Sequence, residues 1–146
     1  MVKKVFRQVV FLFVLTSMVF GGFMQEAEAK TKHPLVGVWT LQYEGELYPV
    51  VCYKILKKNG RYANIKSTDW DAKYFAASHY GKFKAGGGWY VERLKYEKGK
   101  KFRRMIDFPL TYEFLDKNTV QISYPQGGKK YTEVWHRVPK APKYEK

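Results

Sequence analysis

A chain of 146 residues with a single cysteine can hold one modest domain and no internal disulfide, which excludes a disulfide-stapled scaffold and leaves stability to the sheet and its core. Lys and Arg outnumber Asp and Glu by 27 to 13, and a formal net charge of +14 favours anionic partners such as lipid head groups, acidic polysaccharides or nucleic acid. A soluble surface that is merely rich in lysine has the same composition.

The first segment reads as an address. Lys3, Lys4 and Arg7 precede an apolar stretch over residues 9–23, and Ala27-Glu28-Ala29 gives a small-x-small cleavage pattern. Residues 1–29 are therefore expected to be a cleaved secretory signal peptide, with the mature chain starting at Lys30 and residing in the periplasm or outside the cell. The apolar stretch falls short of the ~20 residues that span a bilayer and no second one follows, so no transmembrane segment is expected in the mature chain. Export also removes nucleic acid from the partners and leaves an anionic component of the cell envelope among them.

Beyond Pro34 the chain alternates short strands with turn signals. Strands are expected over residues 36–43, 48–56, 61–66, 74–84, 89–97, 108–115, 119–124 and 129–138, with 102–106 readable as strand or loop. The turns between them include Lys57-Lys-Asn-Gly60, an Asn-Gly hairpin signal, Ala85-Gly-Gly-Gly88, Lys98-Gly-Lys100, Asp116-Lys-Asn118 and Pro125-Gln-Gly-Gly128. Gly81 inside the fourth strand marks a bulge or bend. Cys52, in an apolar strand, reads as a small hydrophobe. The pattern predicts an all-β domain over residues 30–138, an eight-stranded antiparallel up-and-down β-barrel whose closure removes exposed edges, with a two-sheet sandwich as the rival. Residues 139–146, with two prolines and three lysines, are expected to form a flexible basic tail.

Closure has its own signal. Gly37 and Trp39 stand on the first strand and Arg137 at the end of the last, placing a guanidinium over an indole face where the barrel shuts. These three are read as structural. They also carry a resemblance, together with Leu35, Lys54-Ile-Leu56, Asn59-Gly-Arg-Tyr62, Gly81-Lys-Phe83, Tyr112-Glu-Phe114 and Glu133-Val-Trp-His-Arg137. Over nearly the whole mature chain the sequence resembles the lipocalin-like, or calycin, barrels, and most of all the small exported bacterial lipocalin-like domains of unknown function. The resemblance implies that Gly37 and Trp39 take the places of the lipocalin glycine-x-tryptophan motif and Arg137 that of the arginine across it. The threonine-aspartate-tyrosine motif of the classical members is absent, with Leu115-Asp-Lys-Asn118 in its place, and no sequence remains for a C-terminal helix.

In an up-and-down meander the first, third, fifth and seventh connections share one rim, which in lipocalins is the open mouth. That rim collects residues 44–47, 67–73, 98–104 and 125–128. From Arg93 to Arg104 seven Lys or Arg accompany one acid, Glu97, with Tyr96 and Phe102 interleaved. This stretch reads either as a cationic gate for the anionic end of a ligand or as a solvated loop, and charge runs are most often solvated. All 12 Tyr and all four Trp lie beyond the leader. The inward, ligand-facing set is expected to be Tyr53, Phe75, His79, Trp89, Arg93 and Tyr112. A register slip of one puts Glu92 and Leu94 in the place of Arg93. Trp70, in a polar loop, is an exposed-aromatic candidate for ligand stacking, with burial under the loop as the alternative.

No catalytic residue, cofactor or metal site is expected, because His33, His79 and His136 are scattered and no nucleophile motif or phosphate loop is present. The expected function is to bind one small, hydrophobic or amphipathic ligand, anionic at one end in one variant, inside the barrel. It requires an interior pocket of ~300 Å³ or more. The rival is a non-catalytic interaction module whose basic surface holds an acidic glycan, lipid or protein. A barrel enzyme comes third and requires polar residues converging inside with perturbed titration.

Overall fold

A computed structural model describes residues 33–146, and the signal-peptide expectation for residues 1–29 lies outside them. The described chain is all-β: β1 (Gly37–Glu44), β2 (Pro49–Leu56), β3 (Arg61–Ser67), β4 (Phe75–Ala85), β5 (Trp89–Glu97), β6 (Lys100–Asp116), β7 (Thr119–Gln126) and β8 (Lys129–Val138). Each strand pairs antiparallel with the next and β8 returns to β1, so the sheet closes into an up-and-down barrel and not a sandwich. Most boundaries fall within a residue or so of the sequence reading. The exception is β6, which begins at Lys100, so the basic stretch expected as a loop is a hairpin with a two-residue turn at Lys98–Gly99.

Alternation along each strand assigns its two faces. Trp39 and Leu41 on β1, Leu56 on β2, Tyr62 on β3, Phe83 on β4, Tyr90 on β5, Leu110 on β6, Val120 and Ile122 on β7 and Trp135 on β8 belong to the interior cluster. A second cluster, Ile65, Phe75 and Ala77 with Val51, Tyr53, Ile55, Tyr80 and Tyr96, lies on the other face of β2–β5. The tail covers it: Ala141 and Tyr144 join this cluster, and Glu145 exchanges backbone hydrogen bonds with Phe75 (3.0 Å) and Ala77 (2.9 Å) in a parallel bridge. The expectation of a free tail is thus corrected for these residues. Burial of an otherwise exposed apolar face holds them down.

Irregularities decide where side chains point. The β3–β4 register shifts at Asn64/Ile65, so that Asn64 pairs with His79 and Ile65 with Ala77, leaving Ser78 as the extra residue. This bulge reverses the phase of β4: Phe75 and Ala77 face the outer cluster, whereas His79 and Phe83 face the interior. The expected irregularity at Gly81 is present as a register shift against β5, and a Cβ there would lie 1.9 Å from the Arg93 carbonyl oxygen. On β6, residues 102–105 stand opposite Lys95 alone, because Leu94 pairs with Ile106 and Tyr96 with Lys101. That excursion explains why the sequence there reads as neither strand nor loop.

Closure follows the expected contact. The Arg137 guanidinium carbon lies 4.1 Å from the Trp39 ring centroid, and the same side chain donates to the carbonyls of Val36 (3.1 Å) and Pro34 (2.8 Å). A Cβ on Gly37 would meet Arg137 Nη1 at 2.5 Å, so glycine is what lets the guanidinium through. Trp39 is fully buried and donates its indole N–H to Leu35 O (2.9 Å).

The barrel is tight at this end and loose at the other. Among the described residues β8 pairs with β1 only from His136 to Val138, and β7 with β6 only from Thr119 to Ser123. Beyond those points the β7–β8 hairpin pairs with itself alone.

Candidate ligand-binding site

The loose end holds a cavity of about 610 Å³, lined from below by Lys54, Asn64, His79 and Glu92 and along its walls by Leu41, Leu94, Phe108, Leu110, Tyr124 and Trp135. Tyr43, Lys66, Lys98 and Gln126, at or beside the ends of β1, β3, β5 and β7, also line it, so it reaches the rim shared by the odd-numbered connections. That is the rim expected for the mouth. At the opposite rim the interior is filled: Trp39, Tyr62, Phe83 and Tyr90 are buried together, and Tyr112 spans to the β4–β5 turn by donating to Gly86 O.

The floor of the cavity is polar, and its charged pair is buried. Alternation brings Lys54 inward on β2 in phase with Cys52 and Leu56, and Glu92 inward on β5 in phase with Tyr90 and Leu94. Lys54 is 3% exposed and Glu92 1% exposed, and the Lys54 ammonium donates to Glu92 Oε1. Tyr90 donates its hydroxyl to the same oxygen (3.0 Å), and His79 Nε2 faces the other one at 3.2 Å. The ammonium also lies over two aromatic faces, 5.2 Å from the Trp135 ring centroid and 5.7 Å from that of Tyr90. Two charges buried this deeply persist only because each is paired and hydrogen-bonded.

Titration follows this arrangement. Burial pushes the Glu92 carboxyl up, but the Lys54 ammonium and His79 outweigh it and hold the group down at about 2. Burial, and then the Glu92 charge, drive the Tyr90 hydroxyl well above its ordinary value. Higher on the wall Glu133 accepts from Tyr124 (2.9 Å) and from the Trp135 indole (2.9 Å), and burial together with that carboxylate pushes Tyr124 up to about 12. Cys52 is unpaired in a disulfide and half-buried, with its thiol raised to about 11 chiefly by burial, which suits a wall position better than a nucleophile.

Ser78, His79 and Glu92 lie in a row that invites comparison with a serine hydrolase relay, with Ser78 Oγ 3.3 Å from His79 Nδ1. The Ser78 hydroxyl, however, donates to Asn64 O (3.0 Å), and the Asn64 amide crowds the same His79 nitrogen that faces Glu92. Glu92 Oε1 accepts from Lys54 and Tyr90, and Oε2 faces His79 Nε2. The arrangement fixes a polar floor; it does not present a hydroxyl for attack. Asn64 Oδ1 at this floor, and the Tyr62 hydroxyl within the filled end, are buried without a protein partner.

Of the expected ligand-facing residues, only His79 lines the cavity. Tyr53 and Phe75 face the outer cluster, where their rings meet edge-to-face at 5.5 Å. Arg93 points outward and pairs with Asp107 (2.8 Å), so the slipped register, with Glu92 and Leu94 inward, is the one the barrel adopts. Trp89 is 48% exposed on β5 at the filled end. Tyr112 does face inward, but within the filled end. Trp70 stands exposed on the β3–β4 connection and lines neither the cavity nor the loop's underside. Glu92 entered the sequence reading only as the slipped-register alternative to Arg93, and Lys54 and Glu133 were not among the ligand-facing candidates; the available signal was a charge in phase with the apolar positions on two strands, Cys52-x-Lys54-x-Leu56 and Tyr90-x-Glu92-x-Leu94, with opposite signs.

Residues 34–146 match the family described as Domain of unknown function (DUF4488). The matched span takes in the barrel and the docked tail. A search of curated proteins found no match.

Proposed function

From the premise that this chain belongs to the DUF4488 family, whose description assigns no activity, we propose that it is a non-catalytic binding barrel that takes up one small, largely apolar ligand. The single observation that carries the reading is the 610 Å³ cavity, about twice the ~300 Å³ minimum for a ligand site, walled by leucine and aromatic side chains above a polar floor. The ligand enters with a hydrogen-bonding group leading. Apolar walls and the buried Asn64 Oδ1, without a protein partner at the floor, favour an amphipathic molecule over a pure hydrocarbon.

Kinship with the lipocalin-like barrels beyond this family, export through the leader, and a periplasmic or extracellular site of action belong to the same proposal. The eight-stranded closure and the Gly37, Trp39 and Arg137 contact support the first of these. A second reading, a basic surface holding an acidic glycan, lipid or protein, is favoured by one feature: Lys98, Lys100, Lys101, Arg103 and Arg104 crowd the tip of the β5–β6 hairpin, and all five are exposed.

Native mass spectrometry of the protein purified from its own organism's envelope tests the choice. A stoichiometric small-molecule adduct, lost in a Leu94→Trp variant that fills the cavity, is the expected result. A clean apo mass, combined with salt-sensitive capture of envelope polysaccharide, would transfer the proposal to the second reading.

A further inference from the structure

The cavity opens on a rim with an unusual outer surface. Three large apolar side chains among the described residues are more than two-thirds exposed: Leu47 at 91%, Trp70 at 77% and Tyr74 at 71%. All three lie on or beside the β1–β2 and β3–β4 connections, which belong to the open rim. The β1–β2 loop abuts the end of β3, since residues from Tyr43 to Tyr48 line a surface hollow together with Lys66 and Ser67, and Ser67 Oγ accepts from Val51 N (3.0 Å). The two connections are therefore neighbours.

Trp70 is held out by a built loop. Asp69 accepts from the backbone N–H groups of Lys73 (3.0 Å) and Tyr74 (2.8 Å), Thr68 N–H donates to Tyr74 O (3.0 Å), and Ala72 adopts a left-handed φ of 52°. A tryptophan presented to water on a hydrogen-bonded loop costs solvation that a folded chain ordinarily avoids. The acids of this rim are Glu44, Glu46, Asp69, Asp71, Glu97 and, on the tail, Glu145; Asp69 is engaged by the backbone and Asp71 by Lys73 (2.6 Å). Against them stand Lys66, Lys73, Lys98, Lys100, Lys101, Lys129, Lys130 and Lys143, and the chain as a whole carries +14.

We propose that the open rim docks on an anionic phospholipid bilayer, with Leu47, Trp70 and Tyr74 entering the head-group region and the surrounding lysines facing lipid phosphates. Protruding tips suit a deformable surface; a protein partner would need a matching hollow for each. Tryptophan and tyrosine are the side chains that settle at a membrane–water boundary, and a positive chain is drawn to an anionic leaflet. Docking in this pose turns the mouth of the cavity toward the phase in which an apolar ligand dissolves. The surface claim stands without any particular occupant of the cavity.

The test uses residues 30–146, which hold the closed barrel and its docked tail. Vesicles of equal parts phosphatidylglycerol and phosphatidylcholine are compared with phosphatidylcholine alone by co-sedimentation at low and high salt. The wild type is expected to bind the anionic vesicles, more weakly as salt rises, and Trp70→Ala or Leu47→Ser, on separate loops, each to lower partitioning by about tenfold. Absence of binding to either vesicle, or equal binding by the two variants and the wild type, would overturn the proposal. So would loss of a dimer by the variants in sedimentation velocity with vesicle binding intact, since the rim would then be an interface between copies. Uptake of an apolar fluorescent probe by the same variants in free solution separates this outcome from failure of the binding-barrel reading: that uptake depends on the cavity alone.

Discussion

At the filled end of the barrel the inward positions of β1, β3, β4 and β5 carry Trp39, Tyr62, Phe83 and Tyr90, whereas nearer the open end those of β2, β3, β4 and β5 carry Lys54, Asn64, His79 and Glu92. The first set excludes solvent and closes the sheet, with Arg137 laid across Trp39 as a lid. The second set leaves a cavity and holds its charges apart from water by pairing them. One alternation thus yields two environments, and what separates them is which strands remain paired. Where β8 meets β1 and β7 meets β6 the interior is solid; where the β7–β8 hairpin leaves both neighbours the interior opens.

Substitutions at the two ends should therefore fail in different ways. The largest loss is expected for Trp39→Ala, about 3–5 kcal/mol in denaturant unfolding, because a fully buried indole is removed from the closing contact. Lys54→Met should cost about 3 kcal/mol by the same measurement, since Glu92 is left as a buried charge without its main partner. Adding Glu92→Leu should restore most of it. A double variant no more stable than the single one would show that the floor is held by packing alone.

The pH dependence sharpens the contrast. The Glu92 carboxyl is held at about 2 in the fold against an ordinary 4.5, so its contribution to stability is complete above the unfolded value and is lost as pH falls from about 4.5 toward about 2. The groups facing it are Lys54, His79 and Tyr90. The Tm advantage of the wild type over Glu92→Gln should shrink through that window, and a constant difference would contradict the ionised floor. The smallest effect is expected for Arg137→Lys, about 1 kcal/mol in thermal unfolding, because a lysine keeps the charge but loses the planar contact over Trp39 and the fork of bonds to Val36 and Pro34. Probe uptake at the open end should be unchanged in that variant.

Strand number, order of pairing, the closing contact and the mouth's rim were legible because each depends on local patterns: alternation, turn residues, and a tryptophan and an arginine at the two ends of the chain. The cavity-lining residues were not, and the reasons are particular. Ser78 is an extra residue in β4, so the faces of Phe75 and His79 differ although both have odd numbers, and no local pattern marks it. Tyr53 and Phe75 look like core, and are, but of the outer cluster that the tail covers. Arg93 found an outward partner, Asp107, across a strand whose start the basic run disguised. The charged floor needed the opposite inference from the usual one, that a lysine and a glutamate in phase with apolar neighbours on separate strands face each other inside.

The central claim is that the open end receives a ligand, and titration of the barrel with a fluorescent apolar probe tests it most directly. Saturable uptake of one probe per barrel is expected, abolished by Leu94→Trp and retained when Lys100 and Lys101 are replaced by glutamate. Absence of uptake, or uptake that Leu94→Trp leaves untouched while the hairpin variant loses it, would contradict the account.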